Sequence, residues 1–299
     1  MISSDAVEQY YKAGEIASKV REQVKSVVEE DKPLIEICEK IEGMIRDLGG
    51  KPAFPCNISV NDVAAHYTSP IGDEKRIPEG SIVKIDIGVH IDGYIADTAT
   101  TVCFNTDYEG MVHAAEKALE AAIRIMRPGI STSKVGSEIQ GVIESYGFKP
   151  ISNLTGHLIS RYTIHAGKSL PNISHSFPSR ILEGEIYAIE PFVTVRNAAG
   201  RVKNGPEMHI FRFTKRRPLK SSESRTLLKH IENEFHTLPF AQRWLKEYLT
   251  EDKYRSAFSE LLGSKCLMGY PVFVEASGCT VAQVEHTVYV GSRGVTVLT

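Results

Sequence analysis

The sequence predicts an α+β domain in which helices pack on an antiparallel sheet. Three observations support this prediction. Two amphipathic helical segments occupy residues 1–50, a β-hairpin is centred on Asp92-Gly93, and the chain then returns to helices before further strands. A chain of 299 residues can bury a large core, and we expect residues 1–299 to form a single domain.

The predicted helices are marked by apolar residues at intervals of three and four. The first two cover residues 7–20 and 34–45, with Pro33 at the start of the second, where proline is well tolerated. Two more are predicted over residues 108–126 and 135–146, each followed by glycine or proline.

The predicted strands lie between these helical segments. Residues 81–102 contain two apolar runs on either side of the Asp-Gly pair at 92–93, a favoured two-residue hairpin turn. Residues 60–65, 180–195 and 284–290 also have strand-like patterns. The order of helices, strands, helices and strands favours the α+β class.

A helical insertion in the sheet domain is predicted from about residue 206 to 268. It contains the basic run 215–217 and three helical patterns, over residues 227–235, 244–249 and 254–262. We interpret the basic run as a solvated turn; the alternative is that it binds an acidic partner.

Composition excludes few functions but argues against several. The net charge of -2 gives no electrostatic reason to expect nucleic acid or membrane binding. No apolar stretch reaches the ~18 residues of a membrane span, and residues 1–20 do not resemble a secretory signal. Five scattered cysteines without a CxxC pair favour a reducing compartment. We therefore expect a cytoplasmic protein.

Two aspartates of the hairpin form the first candidate site. If 92–93 is the turn, Asp86 lies opposite Ala99. Asp97 is two residues from Ala99, so its side chain points to the same face. The two carboxylates are then diagonal neighbours on one face, ~7–8 Å apart. Their repulsion would be relieved by cations, and two divalent ions ~3.5–4 Å apart fit such a gap. The alternative, that both are exposed strand residues, is weakened by the apolar run before Asp86.

Three further segments carry candidate ligands. His157 and His165 stand near glycines, although a histidine in an apolar setting is often structural. Glu190 ends a strand-like pattern, and Glu285 lies in a valine-rich pattern where an unpaired carboxylate would be unfavourable. Four carboxylates with one imidazole suit a dinuclear centre of Mn, Fe, Co or Zn rather than a closed structural zinc site. The candidate ligands are Asp86, Asp97, His157, Glu190 and Glu285.

The motifs around these residues resemble those of the pita-bread metallohydrolases, which include methionine aminopeptidases, proline-specific aminopeptidases and prolidases. The detail is most similar to the type 2 methionine aminopeptidases in their compact archaeal form. The motifs are AFPCNISVNDVAAHYTSP (53–70), KIDIGVHIDGYIADTATTV (84–102), LTGHLISRYTIHAGKSLP (154–171), EGEIYAIEPF (183–192) and QVEHTV (283–288). The insertion between the two glutamates is a feature of type 2.

The resemblance implies a pseudo-two-fold antiparallel sheet core covered by helices, two divalent metal ions per chain, and roles for the ligands. Asp86 would serve one metal, His157 and Glu190 the other, and Asp97 and Glu285 would bridge them.

The resemblance also implies the residues that meet the substrate. His66 and His165 would contact substrate without holding metal, and Glu190 would be the catalytic acid–base. Phe54 and Ile164 would line the methionine pocket, together with His209, whose local spacing differs from the family pattern by about one residue.

The implied activity is removal of the initiator methionine from nascent polypeptides whose second residue is small, by a monomer with transient ribosome contact. Two alternatives remain open, a proline-directed aminopeptidase of the same fold and a non-enzymatic homologue that binds protein or nucleic acid.

Overall fold

The computed structural model describes residues 3–245 and 251–299, and these fold into helices and short sheets. The α-helices are α1 (Ser4–Gln23), α2 (Leu34–Asp47), α3 (Glu109–Ile125), α4 (Thr132–Ser145), α5 (Ser222–Phe235) and α6 (Glu251–Gly263). The strands are β1 (Lys51–Val60), β2 (Val63–Ala65), β3 (Ile82–Ile91), β4 (Tyr94–Cys103), β5 (Lys149–Pro150), β6 (Thr155–Ile159), β7 (Ser169–Pro171), β8 (Ile186–Ile189), β9 (Phe192–Thr194), β10 (Val202–Phe213), β11 (Phe240–Ala241), β12 (Leu267–Glu275), β13 (Val281–Gln283), β14 (His286–Val290) and β15 (Val295–Val297).

The first half of the fold is a three-stranded sheet covered by two helices. Its strand order is β1-β3-β4, and the β3–β4 hairpin turns at Asp92 and Gly93. Both turn residues have positive φ, 49° and 85°, as this type of two-residue turn requires. The hairpin prediction is confirmed.

Helices α1 and α2 cover this sheet with the faces that their spacing predicts. Ser3 caps α1 by accepting a hydrogen bond from the Ala6 amide, and Ala17 and Val20 are fully buried. Helix α2 begins directly after Pro33 and packs on β1. Burial of these apolar faces forms one core with the sheet.

The second half repeats this plan with helices α3 and α4. They pack against strands of two sheets, whose orders are β13-β9-β5 and β15-β14-β8-β6-β7. One contact between the halves is a backbone bridge, where Ala99 and Glu285 exchange hydrogen bonds of 3.0 and 3.4 Å. The sheets of the two halves therefore join next to a candidate ligand.

The insertion differs in part from its prediction. Residues 202–213, expected to enter a helical segment at about 206, are the strand β10, which pairs with β12. Helices α5 and α6 confirm two of the three helical patterns. In the third, Gln242–Leu245 is a short 3-10 helix, and its remaining positions, including Tyr248 and Leu249, lie outside the described residues.

Residues 60–65, expected to be a strand or a strand end, hold the end of β1, a turn and β2, as predicted. Two other strand predictions need correction. Residues 180–185 precede β8 and are not a strand. The 284–290 pattern is interrupted, because β13 ends at Gln283 and β14 begins at His286. Among the described helices, none is both long enough and apolar enough to cross a bilayer.

Candidate metal centre

Two of the candidate ligands come from the hairpin. Asp86 lies opposite Ala99 and Asp97 lies opposite Gly88, so the register sets the two aspartates on one face, as predicted. The side chain of Asp97 is almost fully buried, and Asp86 is partly buried beside it.

The other three candidate ligands come from the second half. His157 sits in the middle of β6 opposite Ala188 of β8, and Glu190 follows the last residue of β8. Glu285 occupies the break between β13 and β14, held by its backbone bridge to Ala99. The sequence predicted that Glu285 lies inside a strand. In the structure it lies between two strands, and its backbone bridge to Ala99 holds it beside β4 of the first half.

The side chains of these candidate ligands lie close together. One ligand atom from each of Asp97, His157 and Glu285 lies within 4.8 Å of the other two. The Nε2 atom of His157 is 3.7 Å from Oδ2 of Asp97 and 3.5 Å from Oε1 of Glu190. Asp86 lines the same cavity.

Burial makes this concentration of negative charge unfavourable. Burial, and then repulsion by the neighbouring carboxylates, raises the pKa of Glu190, Glu285 and Asp97 well above the ordinary value, and burial raises the pKa of Asp86 to about 7. Burial also lowers the pKa of His157, which keeps the imidazole neutral. Neutral imidazole is the form that binds metal.

The polar atoms of the site suit a metal. Buried oxygens of Asp86, Asp97 and Glu285 have no hydrogen-bond partner among the described residues. An unpaired buried carboxylate oxygen is costly, and a cation would satisfy it. Oxygen donors with one imidazole fit a divalent ion, so we conclude that the chain uses divalent metal.

The cavity above these ligands has a volume of about 230 Å³. Phe54 and Ile164 line it, with His66 and His165, so the structure brings these four predicted residues to the metal ligands. The ring centre of His165 is 4.3 Å from that of His157. Loss of hydration and the charge of Arg212 lower the pKa of His165.

His66 is held in an unusual backbone conformation with φ of 66°. Its Nδ1 donates to the Pro271 carbonyl at 3.3 Å, and its ring packs on Phe273 and Tyr270. Burial lowers its pKa to about 4, so His66 is neutral at pH 7 with an unprotonated Nε2.

The structure places His209 outside the lining of the cavity, and its role in the methionine pocket stays a prediction. Met208 pairs with Pro271 and Ile210 pairs with Tyr270, so His209 is an extra residue in β10 and forms a bulge. Its ring lies against Tyr67, 5.4 Å between centres, and does not line the cavity. Ile210 lines the cavity instead.

Three residues of the site were not predicted. Tyr270 and Pro239 line the cavity. Gln283 does not line it but donates to Oε2 of Glu285 at 3.2 Å and to Oε2 of Glu190 at 3.5 Å. The motif QVEHTV contained a signal for Gln283, because alternation sets it on the same face as Glu285. No local pattern marks Pro239, which follows α5.

A buried cluster of carboxylates and one imidazole at the base of a cavity, on two joined helix-covered sheets, defines a metal-dependent hydrolase. The chain belongs to metallopeptidase family M24, whose model matches residues 8–291. Its fold is the pita-bread fold, as expected.

Two relatives that match nearly the whole chain are both named methionine aminopeptidase. The chain is 45% identical over 296 residues to a methionine aminopeptidase of Methanothermobacter thermautotrophicus, covering 98% of each chain. It is 46% identical over 294 residues to a methionine aminopeptidase of Pyrococcus horikoshii, covering 98% of this chain and 99% of the other.

Solved structures share the fold at lower identity. A thermophilic Arx1 structure has a TM-score of 0.85 at 20% identity, covering all of this chain and 91% of that one. The methionine aminopeptidase of Thermotoga maritima has a TM-score of 0.71 at 22% identity, covering all of this chain and 98% of that one.

Proposed function

We propose that this protein is an aminopeptidase that removes the N-terminal methionine from new proteins whose second residue is small. One observation carries the proposal. The five candidate ligands, the two histidines His66 and His165, and an apolar wall line a single cavity. The relatives named methionine aminopeptidase match over nearly the full chain and support the same activity.

The metal requirement follows from the ligand set, and we propose two ions per chain, of Co, Mn, Fe or Zn. When bound, such ions lower the pKa of water and so supply hydroxide near neutral pH. Asp97 and Glu285 would be shared between the two ions, with Asp86 on one side and His157 and Glu190 on the other.

The protein groups then divide the remaining work. Glu190, whose pKa burial raises, would accept the proton of the attacking water and pass it to the departing amine nitrogen. His165 would donate to the scissile carbonyl oxygen as it gains charge. His66, neutral at pH 7, would contact the substrate backbone.

The walls of the cavity supply substrate preference. Phe54 and Ile164 are largely buried and present apolar surface to the cavity, with Tyr270 beside them. A methionine side chain can bury its thioether against such rings and branched chains. The same cavity of about 230 Å³ includes the candidate metal ligands, so a side chain bound against this wall would lie next to them.

A peptide assay tests the proposal and its alternatives. Release of methionine from Met-Gly and Met-Ala peptides is compared with cleavage of Xaa-Pro peptides, before and after chelation and after addition of Co²⁺ or Mn²⁺. We expect metal-dependent release of methionine, lost in Glu190→Gln and retained in Glu116→Gln, an exposed position on α3. Preferential Xaa-Pro cleavage would support the proline-directed alternative, and no cleavage would support a non-enzymatic role.

The proposed substrates are nascent polypeptides, so we also propose a cytoplasmic monomer that touches the ribosome transiently. Sedimentation of the pure protein, alone and with ribosomes, tests both statements.

A further inference from the structure

We propose that Tyr162 is a positioning residue, which holds the loop bearing Ile164 and His165 against the cavity by tying it to the β3–β4 turn and to the insertion. This inference rests on the proposed function, because it assigns the loop a task in that reaction. Tyr162 does not line the cavity itself.

The loop that follows β6 is a tight turn with a strained residue. The Ser160 and Thr163 backbones exchange two hydrogen bonds of 2.9 Å, and the Ala166 amide donates to the Leu158 carbonyl at 2.7 Å. Between them, Tyr162 has a φ of 55°, a left-handed conformation unusual for an aromatic residue. Such strain persists only where the surroundings determine the conformation strongly.

The first anchor of Tyr162 is the hairpin turn. Its amide donates to the Gly93 carbonyl at 2.8 Å, and its ring lies so close to Gly93 that a Cβ there would be 2.4 Å from ring carbons. The neighbouring Arg161 donates from Nε to the Asp92 carbonyl at 2.8 Å and lies 5.0 Å from the Tyr94 ring centre. The loop is thereby fixed to the hairpin that carries Asp86 and Asp97.

The second anchor is the segment that follows α5 in the insertion. The Tyr162 ring packs on the His236 ring with 4.2 Å between centres, and the Thr237 hydroxyl donates to the Tyr162 carbonyl. His236 is also strained, with a φ of 52°. Two strained residues from distant parts of the chain therefore face each other.

Each strained residue is followed in the chain by residues that form or support the cavity wall. Two residues beyond Tyr162 is Ile164, and two residues beyond His236 is Leu238, which belongs with Ile164 and Phe54 to one apolar cluster. Pro239, next in the chain, lines the cavity. The Tyr162–His236 contact thus sets the position of both wall segments, and His165 follows one of them.

The alternative is that the Tyr162 ring is ordinary packing with no effect on the reaction. Tyr146 provides a control, because it is a tyrosine at the C-cap of α4 whose ring contacts a histidine, His113, at 5.5 Å between centres, and it does not line the cavity. If loss of any tyrosine–histidine contact only reduced stability, Tyr146→Ala and Tyr162→Ala would behave alike.

The kinetic test uses the metal-loaded protein and a Met-Ala peptide. We expect Tyr162→Ala to lower kcat/KM by roughly 10- to 100-fold, because displacement of a positioning group by about 1 Å can cost about 10²-fold. Metal content should equal that of the parent. Tyr162→Phe, which keeps the ring, and Tyr146→Ala should resemble the parent.

A double variant identifies the route of the effect. If Tyr162 acts through the loop, the loss caused by Tyr162→Ala should be much smaller in a His165→Ala background than in the parent. Fully additive losses in the double variant would overturn the inference. Should Tyr162→Ala fail to fold, Thr237→Val removes one anchor, and parent-like kinetics there would equally overturn it.

Hydrogen exchange supplies a readout that needs no activity. Backbone amides of residues 160–166 should exchange faster in Tyr162→Ala than in the parent or Tyr146→Ala, with little change in β3 and β4. Parent-like exchange in this loop would refute the anchoring. If the parent protein itself does not release methionine, the proposed function fails, and exchange still decides whether Tyr162 holds the loop.

Discussion

Substitution of Gly88 by alanine should change the methionine pocket without removing metal. Gly88 is buried in β3, where it pairs with Phe54 on one side and with Asp97 on the other. A Cβ at this position would lie 2.3 Å from Cε1 and 2.4 Å from Cδ1 of the Phe54 ring. Ordinary carbon contacts are ~3.5–4.0 Å, so the ring must move by more than ~1 Å.

The direction of this movement determines the kinetic result. Phe54 lines the cavity, which is the open space available to a displaced ring. We expect Gly88→Ala to raise KM for Met-Ala peptides and to lower kcat/KM by roughly 10- to 100-fold. Overpacking should also lower the free energy of unfolding by about 1–3 kcal/mol. Metal content should be unchanged, because the nearest atoms are those of Phe54 and Ala53.

Two variants make this test specific. Phe54→Leu shortens the displaced side chain, so Gly88→Ala with Phe54→Leu should recover part of the lost kcat/KM. Gly141→Ala, on α4 where a Cβ meets nothing within 4 Å, is the control, with unchanged kinetics and a gain of about 1 kcal/mol in stability. A parental KM in Gly88→Ala, or no recovery in the double variant, would refute the reasoning.

Three further results are expected. His165→Ala should lower kcat/KM by about 10²–10³-fold at unchanged metal content, and metal loss by elemental analysis would instead make His165 a ligand. Chelation should abolish activity, and Asp97→Ala or Glu285→Ala should impair Co²⁺ reactivation more than Asp86→Ala; equal effects would contradict the shared-ligand assignment. Burial lowers the pKa of His90 to about 4, below an unfolded value of ~6.5, so its contribution to stability is present above pH 6.5 and is lost as pH falls towards 4. Denaturant unfolding of His90→Asn should therefore vary less with pH over this range than that of the parent.

Short sequence patterns predicted the elements whose conformation is set by neighbouring residues in the chain. The hairpin followed from the Asp-Gly turn, and α2 from its spacing and Pro33. Strand β1 was not predicted, because Pro52 and Pro55 argue against a regular strand. The structure accommodates them by register shifts along the β1–β3 pairing.

The sequence predicted those residues of the candidate site that are marked by their type and by the apolar residues around them. Asp86, Asp97 and Glu285 stand in apolar surroundings where a carboxylate needs a partner. The bulge at His209 and the arrival of Pro239 at the cavity depend on pairing between distant segments, which no single stretch of sequence encodes. Corrections therefore fall on residues whose position is set by tertiary pairing.

The bridge between Ala99 and Glu285 has a consequence for the timing of synthesis. Asp86 and Asp97 belong to one half of the fold, and His157, Glu190 and Glu285 belong to the other, so neither half holds the full ligand set. A growing chain must release residue 285 from the ribosome before the last ligand can join the others. The complete ligand set can therefore form only after nearly the whole chain has been made, so metal binding must wait until synthesis is almost finished.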